Sequence, residues 1–291
     1  MFTEQSTVEN YIRDILCGAQ PAPRLGIAEE PTPYLTPGRG TRGAGWQYVP
    51  PAALPRQPTD VFVEPYIREA LIRLNPSIAV QPDRADEVLH KLRAILLSVR
   101  GEGLIRANER LTGWLRNEQS MPFGHNHEHV TIRLIDYDDL DQNQYLVTTQ
   151  YTFRAGAAER RADVVLLVNG FPLVIVEAKT PVRQAVSWFD GAKQVHNDYE
   201  RFVPELFAPN VFSVATEGKE LRYGAVRMPI ELWGPWRPEE KGETADFADF
   251  ADFEEGKSVQ SVSSVDASSL KTIGEQLRSL LRPEVVLDIL A

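Results

Sequence analysis

The chain has 291 residues, 43% of them hydrophobic and 25% charged, a balance that supports a sizeable core in one large domain or a domain with extensions. A net charge of −10 argues against a broad surface for coating nucleic acid, yet leaves a nuclease open, because catalytic carboxylates and acidic tails also lower the charge. One cysteine, Cys17, excludes an internal disulfide and suits a reducing cytoplasm. No apolar run reaches the roughly 18 residues of a membrane span, and no basic-then-apolar leader opens the chain.

Residues 3–17 read as an amphipathic helix, with Val8, Tyr11, Ile12, Ile15 and Leu16 at three- and four-residue spacing and Thr3 or Ser6 as cap. The Pro/Gly-rich stretch 20–58 is too irregular for regular elements and is read as an extended surface arm. Helices are expected around 61–74, ending before Asn75-Pro76, and over 84–97, with Leu89, Leu92, Ile95 and Leu96 on one side. β-Branched and aromatic residues predict strands at 129–136 and 144–153. An apolar hairpin occupies 161–181, a helix falls within 185–202, and a second hairpin (210–216 and 220–226) turns at Glu217-Gly218. Residues 237–268 are acidic and Ser-rich, with the tandem ADFADFADF, and read as a mobile linker ahead of a final helix over 269–290. The expected organisation is an α/β domain over 1–236, a tether, and a docking helix over 269–291.

The hairpin RADVVLLVNGFPLVIVEAKTP places Asp163, Glu177 and Lys179 where aliphatic side chains are expected. Burying them costs several kcal/mol unless they pair or hold a metal. A two-residue Asn169-Gly170 loop would put Asp163 opposite Val176 and send Glu177 to the other face. A three-residue loop pairs residues whose numbers sum to 340, which sets Asp163 opposite Glu177 with Lys179 on the same face. The second register is the expectation, since it gathers the charges. Two carboxylates then supply hard oxygen ligands for Mg2+, and Lys179 can orient or deprotonate an attacking water. Spacing alone leaves open an inert buried Asp–Lys–Glu network.

Asp163, thirteen residues, then Glu177-Ala178-Lys179 resembles the PD-(D/E)xK nuclease motif. The flanking text is more specific. DVVLLVNGFPLVIVEAKTP, NQYLVTTQYTF (143–153) and VPELFAPNVFSVATEG (203–218) resemble the N-terminal endonuclease domain of type I restriction enzyme R subunits over roughly residues 1–236. The resemblance implies a restriction-endonuclease-like α/β fold, a mixed β-sheet flanked by helices. It implies Mg2+-dependent cleavage of double-stranded DNA, with Asp163, Glu177 and the Ala178 carbonyl as metal ligands and Lys179 as catalytic lysine. A further acidic residue on the first helix matches Glu9 best, with Glu4 and Glu69 as weaker matches. Partners implied are the modification and specificity subunits of a restriction complex in the cytoplasm, and ATP enters only through motor domains absent from this chain, toward which the final helix leads.

Two departures stand out. Ala162 replaces a proline that often precedes the aspartate. The family's Gln-x-x-x-Tyr motif appears here as Gln194 and Tyr199, five apart; five residues of α-helix turn through about 500°, so the two side chains are expected to diverge by roughly 140°. His125, His127 and His129 would share a strand face, but the flanking MPFG points to a loop rather than a metal site. ADFEEGKS (251–258) ends like a Walker A loop but has Ala251 where glycine is needed. Without an ATPase motif the chain reads as a fragment, a truncated product or a separately encoded nuclease. The five tryptophans read as packing residues. The rival functions are a separately acting PD-(D/E)xK nuclease in repair or defence and a catalytically degenerate DNA-binding or interaction module.

Overall fold

The apolar runs between residues 145 and 178 fold as three adjacent strands at the heart of a mixed sheet. The computed structural model describes residues 5–18, 43–179, 186–237 and 267–291. Glu4, most of the Pro/Gly-rich arm, Thr180 and Pro181, and nearly all of the acidic stretch with its ADFADFADF and ADFEEGKS text lie outside the described residues. The first half holds α1 (Gln5–Cys17), β1 (Gln47–Tyr48), α2 (Glu64–Leu74), α3 (Pro76–Ala79), α4 (Arg84–Glu102), α5 (Leu104–Leu115), β2 (Ser120–Met121) and β3 (Val130–Thr131). There follow β4 (Tyr145–Ala155), β5 (Ala158–Val168), β6 (Phe171–Ala178), α6 (Trp188–Lys193), a π-helical turn (Gln194–Tyr199) and α7 (Glu200–Phe202). Strands β7 (Phe212–Thr216) and β8 (Leu221–Gly224) and helices α8 (Ala267–Leu280) and α9 (Pro283–Leu290) complete the set.

The sheet order is β1-β4-β5-β6-β7-β8. Strands β4, β5 and β6 are successive antiparallel neighbours, whereas β1 joins β4 and β7 joins β6 in parallel. The parallel β6–β7 step requires a crossover, which α6, the π turn and α7 supply. All of β6, and β5 from Ala162 onward, are buried, which is why their apolar runs are continuous rather than alternating. Helix α1 packs across β1, β4, β5 and β6, with Ile12 and Leu16 fully buried. Helix α8 packs in turn on α1 and β8, and the Trp46 indole donates to the Leu281 carbonyl at 2.5 Å.

The central hairpin combines both registers weighed above. Its loop has two residues, Asn169 (φ 50°) and Gly170 (φ 91°), with Val168 paired to Phe171 and Leu167 to Pro172. Both central residues have positive φ, the requirement of a type I′ turn. A bulge at Leu173 then shifts the pairing, so that Leu166 faces Val174 and Val164 faces Val176. The expected three-residue loop is therefore incorrect, but the expected pairing sum of 340 holds beyond the bulge. Pro172, lacking an N–H, sits at this irregularity, where the ladder does not need its donor.

Other expectations required correction. The strand at 129–136 shrinks to Val130–Thr131, because asparagine side chains satisfy the backbone that follows it. Asn75 exchanges two hydrogen bonds with Arg133, Asn117 accepts from Leu134 and donates to Ile135, and Asn169 donates to the Leu134 carbonyl. Helix α4 runs on to Glu102, and α5 was not anticipated at all; Gly103 (φ 94°) separates them. The described end of the arm carries β1 and buries Trp46. The final helix breaks before Pro283 into two.

Gly170 is the tightest point of the hairpin: its carbonyl accepts the Val63 N–H at 3.0 Å, and an added Cβ would lie 2.6 Å from the Val63 oxygen. Gly170→Ala is expected to cost about 1–3 kcal/mol through this clash and its positive φ. A urea midpoint equal to wild type would show instead that the turn relaxes freely.

Candidate active site

Continuing the pairing sum of 340 one step past Val164 and Val176 sets Asp163 opposite Glu177. The Ala178 N–H donates to Asp163 Oδ2 at 2.9 Å, tying the two strands together at this step. Lys179 is held at the end of β6 by its own N–H, which donates to the Thr216 carbonyl at 2.8 Å. Its ammonium donates to Glu177 Oε1 at 2.7 Å and to Gln194 Oε1. Asp163 is 4% exposed and Glu177 0%. The second oxygen of Glu177, Oε2, is buried with no hydrogen-bond partner.

Helix α6 lies over this step because Gly191 permits it: an added Cβ would be 3.3 Å from Ala215 Cβ and 3.6 Å from Glu177 Cγ. Gln194 and Tyr199 do not diverge as α-helical geometry predicts. The turn between them is π-helical, with i→i+5 periodicity, so the extra residue is absorbed and the two side chains meet. Gln194 Nε2 donates to the Tyr199 hydroxyl at 2.5 Å, and that hydroxyl donates to the Arg161 carbonyl at 2.9 Å. A chain of contacts thus runs from Lys179 through Gln194 and Tyr199 back to β5, two residues before Asp163. Tyr199 is also 3% exposed, so its ring packs in the core while its hydroxyl joins this chain of contacts. Burial and the Glu177 charge push its hydroxyl above the ordinary range, and it remains a protonated donor.

Glu9 reaches the same face from α1 and is 6% exposed. Its carboxylate accepts a hydrogen bond from Gln150 Nε2, a contact missed in the sequence. The signal available there was register, since Gln150 lies across from Asp163 between the pairs Thr149–Val164 and Tyr151–Ala162. Glu69, by contrast, is exposed on α2, and its charge registers at Tyr66. The three histidines do not line a strand: residues 125–127 form a 3-10 turn with Asn126 and His127 at positive φ.

Burial, and then the neighbouring Asp163 charge, raise Glu177 to about 8 and Glu9 to about 7. Asp163 is raised too, chiefly by burial, with the Ala178 N–H and the Lys179 charge opposing. Three crowded acids face the Lys179 ammonium, with the Arg161 charge acting on Asp163 and Glu9 as well. Among the described residues, no three His, Cys, Asp or Glu side chains stand as a complete metal cage. Two carboxylates completed by backbone and water oxygens suit Mg2+, which keeps several waters. The unpartnered Glu177 Oε2 fits such an ion. Ala178 directs its N–H toward Asp163, and in a strand the carbonyl of the same residue points to the same side.

A raised carboxyl pKa means that the folded chain keeps protons the unfolded chain releases. Stability is therefore lost as pH rises from the ordinary value of 4.5 to the folded values of about 7 and about 8. Glu200, raised by burial to about 6, adds the same sign at lower pH, leaving roughly pH 6–8 as the diagnostic window. In chelator, the melting temperature is expected to fall across that window, and Glu177→Gln to flatten the fall. Parallel pH profiles for the two proteins would contradict the assignment.

Residues 41–231 match the family described as type I restriction enzyme R protein N terminus. The type I restriction enzyme HindI endonuclease subunit of Haemophilus influenzae is 27% identical over 180 residues, 61% of this chain and 16% of that subunit. In Methanocaldococcus jannaschii, the putative MjaVIIP endonuclease subunit is 33% identical over 89 residues, covering 31% of this chain and 8% of the subunit. The putative MjaIXP endonuclease subunit of the same organism is 29% identical over 119 residues, covering 38% and 11%. This chain spans less than a fifth of the length of these relatives. The matched region contains Asp163, Glu177, Lys179, Gln194 and Tyr199, while Glu9 lies before it. The chain belongs to the family of type I restriction enzyme R-subunit N-terminal regions.

Proposed function

We propose that this chain is the Mg2+-dependent nuclease part of a type I restriction R subunit and hydrolyses phosphodiester bonds of double-stranded DNA. The observation that carries the reading is the buried cluster of Asp163, Glu177 and Lys179, in which Lys179 holds one Glu177 oxygen and the other, Oε2, lacks a hydrogen-bond partner. A purely structural ion network is stable when every buried oxygen is satisfied; one left bare costs about 1–3 kcal/mol or more.

Asp163, Glu177 and the Ala178 carbonyl would hold the ion. When bound, Mg2+ supplies Lewis acidity toward the phosphate and lowers the pKa of water. The protein's own groups do the rest. Lys179, fixed between Glu177 and Gln194, presents its ammonium to the attacking water and to the charge that develops on the phosphate oxygens. Gln194 and Tyr199 keep that lysine from swinging away, and Glu9 adds a third acid that can take a proton from water or bind one of its hydrogens. Aliphatic residues of β5 and β6 wall the site and raise the strength of each charge interaction inside it.

Recognition of sequence falls to a separate specificity subunit under this reading, and ATP-driven translocation to motor domains outside this chain. Such a complex works in the cytoplasm. No helix among the described residues is long and apolar enough to cross a membrane.

The test is plasmid nicking and cleavage by the complete R subunit with its partner subunits, Mg2+ and ATP. Asp163→Ala and Lys179→Ala are each expected to lower cleavage about a hundredfold or more, with ATP hydrolysis retained as evidence of an intact assembly. Full cleavage by both variants would sink the assignment.

A further inference from the structure

Gln150 lies inside β4, yet its φ is +54°, the left-handed backbone region that non-glycine residues seldom adopt in a strand. The β4–β5 ladder is regular on either side, pairing Thr149 with Val164 and Tyr151 with Ala162, and it skips the step between them. That step is Gln150 opposite Asp163. The side chain of Gln150 is half-buried, and its amide donates to Glu9 Oε2. Among the described residues, no cation forms an ion pair with Glu9. The bond from Gln150 therefore ties the Glu9 carboxylate of α1 to the sheet, while the Arg161 and Lys179 charges act on it without an ion pair.

A strained residue persists where its surroundings hold it, and such residues gather at working sites. Here the strain, the missing ladder step and the bond to Glu9 fall on one residue, directly across from Asp163. We propose that Gln150 is a positioning residue of the nuclease site. Its left-handed backbone opens the β4 edge of the step and turns the amide toward α1, which presents the Glu9 carboxylate to the two sheet carboxylates. This rests on the reading that Asp163 and Glu177 hold a divalent cation. Gln150 itself need touch neither ion nor DNA; it acts through Glu9.

Glycine separates the backbone role from the side-chain role, because it accepts φ +54° without strain and carries no amide. The full chain is titrated with Mn2+ and, separately, Mg2+, and the melting temperature is followed. For wild type, each ion is expected to raise the melting temperature, and Asp163→Ala is expected to abolish the rise. Gln150→Gly is expected to melt at or above the wild-type temperature without metal, while roughly tenfold more Mn2+ is needed for half the shift. In a Glu9→Ala background, adding Gln150→Gly is expected to change the Mn2+ requirement no further. A Gln150→Gly protein that melts lower without metal yet keeps the wild-type Mn2+ requirement would overturn the positioning role and leave the metal reading standing. A wild-type chain insensitive to both ions would overturn the metal reading, and this proposal with it.

Discussion

Two carboxylates facing each other in the middle of a closed-packed sheet are the constraint on which the rest of this structure depends. Both Asp163 and Glu177 are buried, and the Asp163 charge raises the cost of ionising Glu177. The surrounding groups answer only part of that cost. Asp163 receives the Ala178 N–H, and Glu177 receives one proton of Lys179, but one Glu177 oxygen receives nothing. A sheet stabilised for its own sake would carry aliphatic residues at these positions, as it does at the adjoining step, where Val164 pairs with Val176. The unmet demand for positive charge is what a divalent cation would satisfy.

Single-residue irregularities bring the site together. Without the bulge at Leu173, the two-residue turn would carry its register down the hairpin and put Glu177 on the face opposite Asp163. Asn210 and Val211 help hold the bulge, donating to the Leu173 carbonyl at 3.2 Å and 2.8 Å. The π turn does the same for the helix, restoring contact between Gln194 and Tyr199 across an extra residue. Both are small departures from ideal geometry, and both fall where a polar side chain has to be aimed.

Much of the centre of this fold was legible in the sequence because burial writes itself as composition. The continuous apolar runs of β5 and β6, the Asn-Gly turn and the three misplaced charges identified the hairpin and the face on which the charges gather. The boundaries and exceptions were less visible. The strand expected at 129–136 has strand-like residues, but its backbone is claimed by Asn75, Asn117 and Asn169, which arrive from distant elements. Spacing rules assumed an α-helix between Gln194 and Tyr199, and no local signal announces a π turn. Gln150 was legible only through register, which sets it across from Asp163; an ordinary glutamine in QYTF carries no mark of its left-handed backbone or of its partner on α1.

The most direct measurement of the central claim is anomalous diffraction from crystals of the chain grown or soaked with Mn2+. The account predicts a peak within ligand distance, about 2.0–2.3 Å, of both Asp163 and Glu177, with the free oxygen of Glu177 turned toward it. Crystals containing Mn2+ elsewhere, with Glu177 Oε2 still facing only protein, would contradict it.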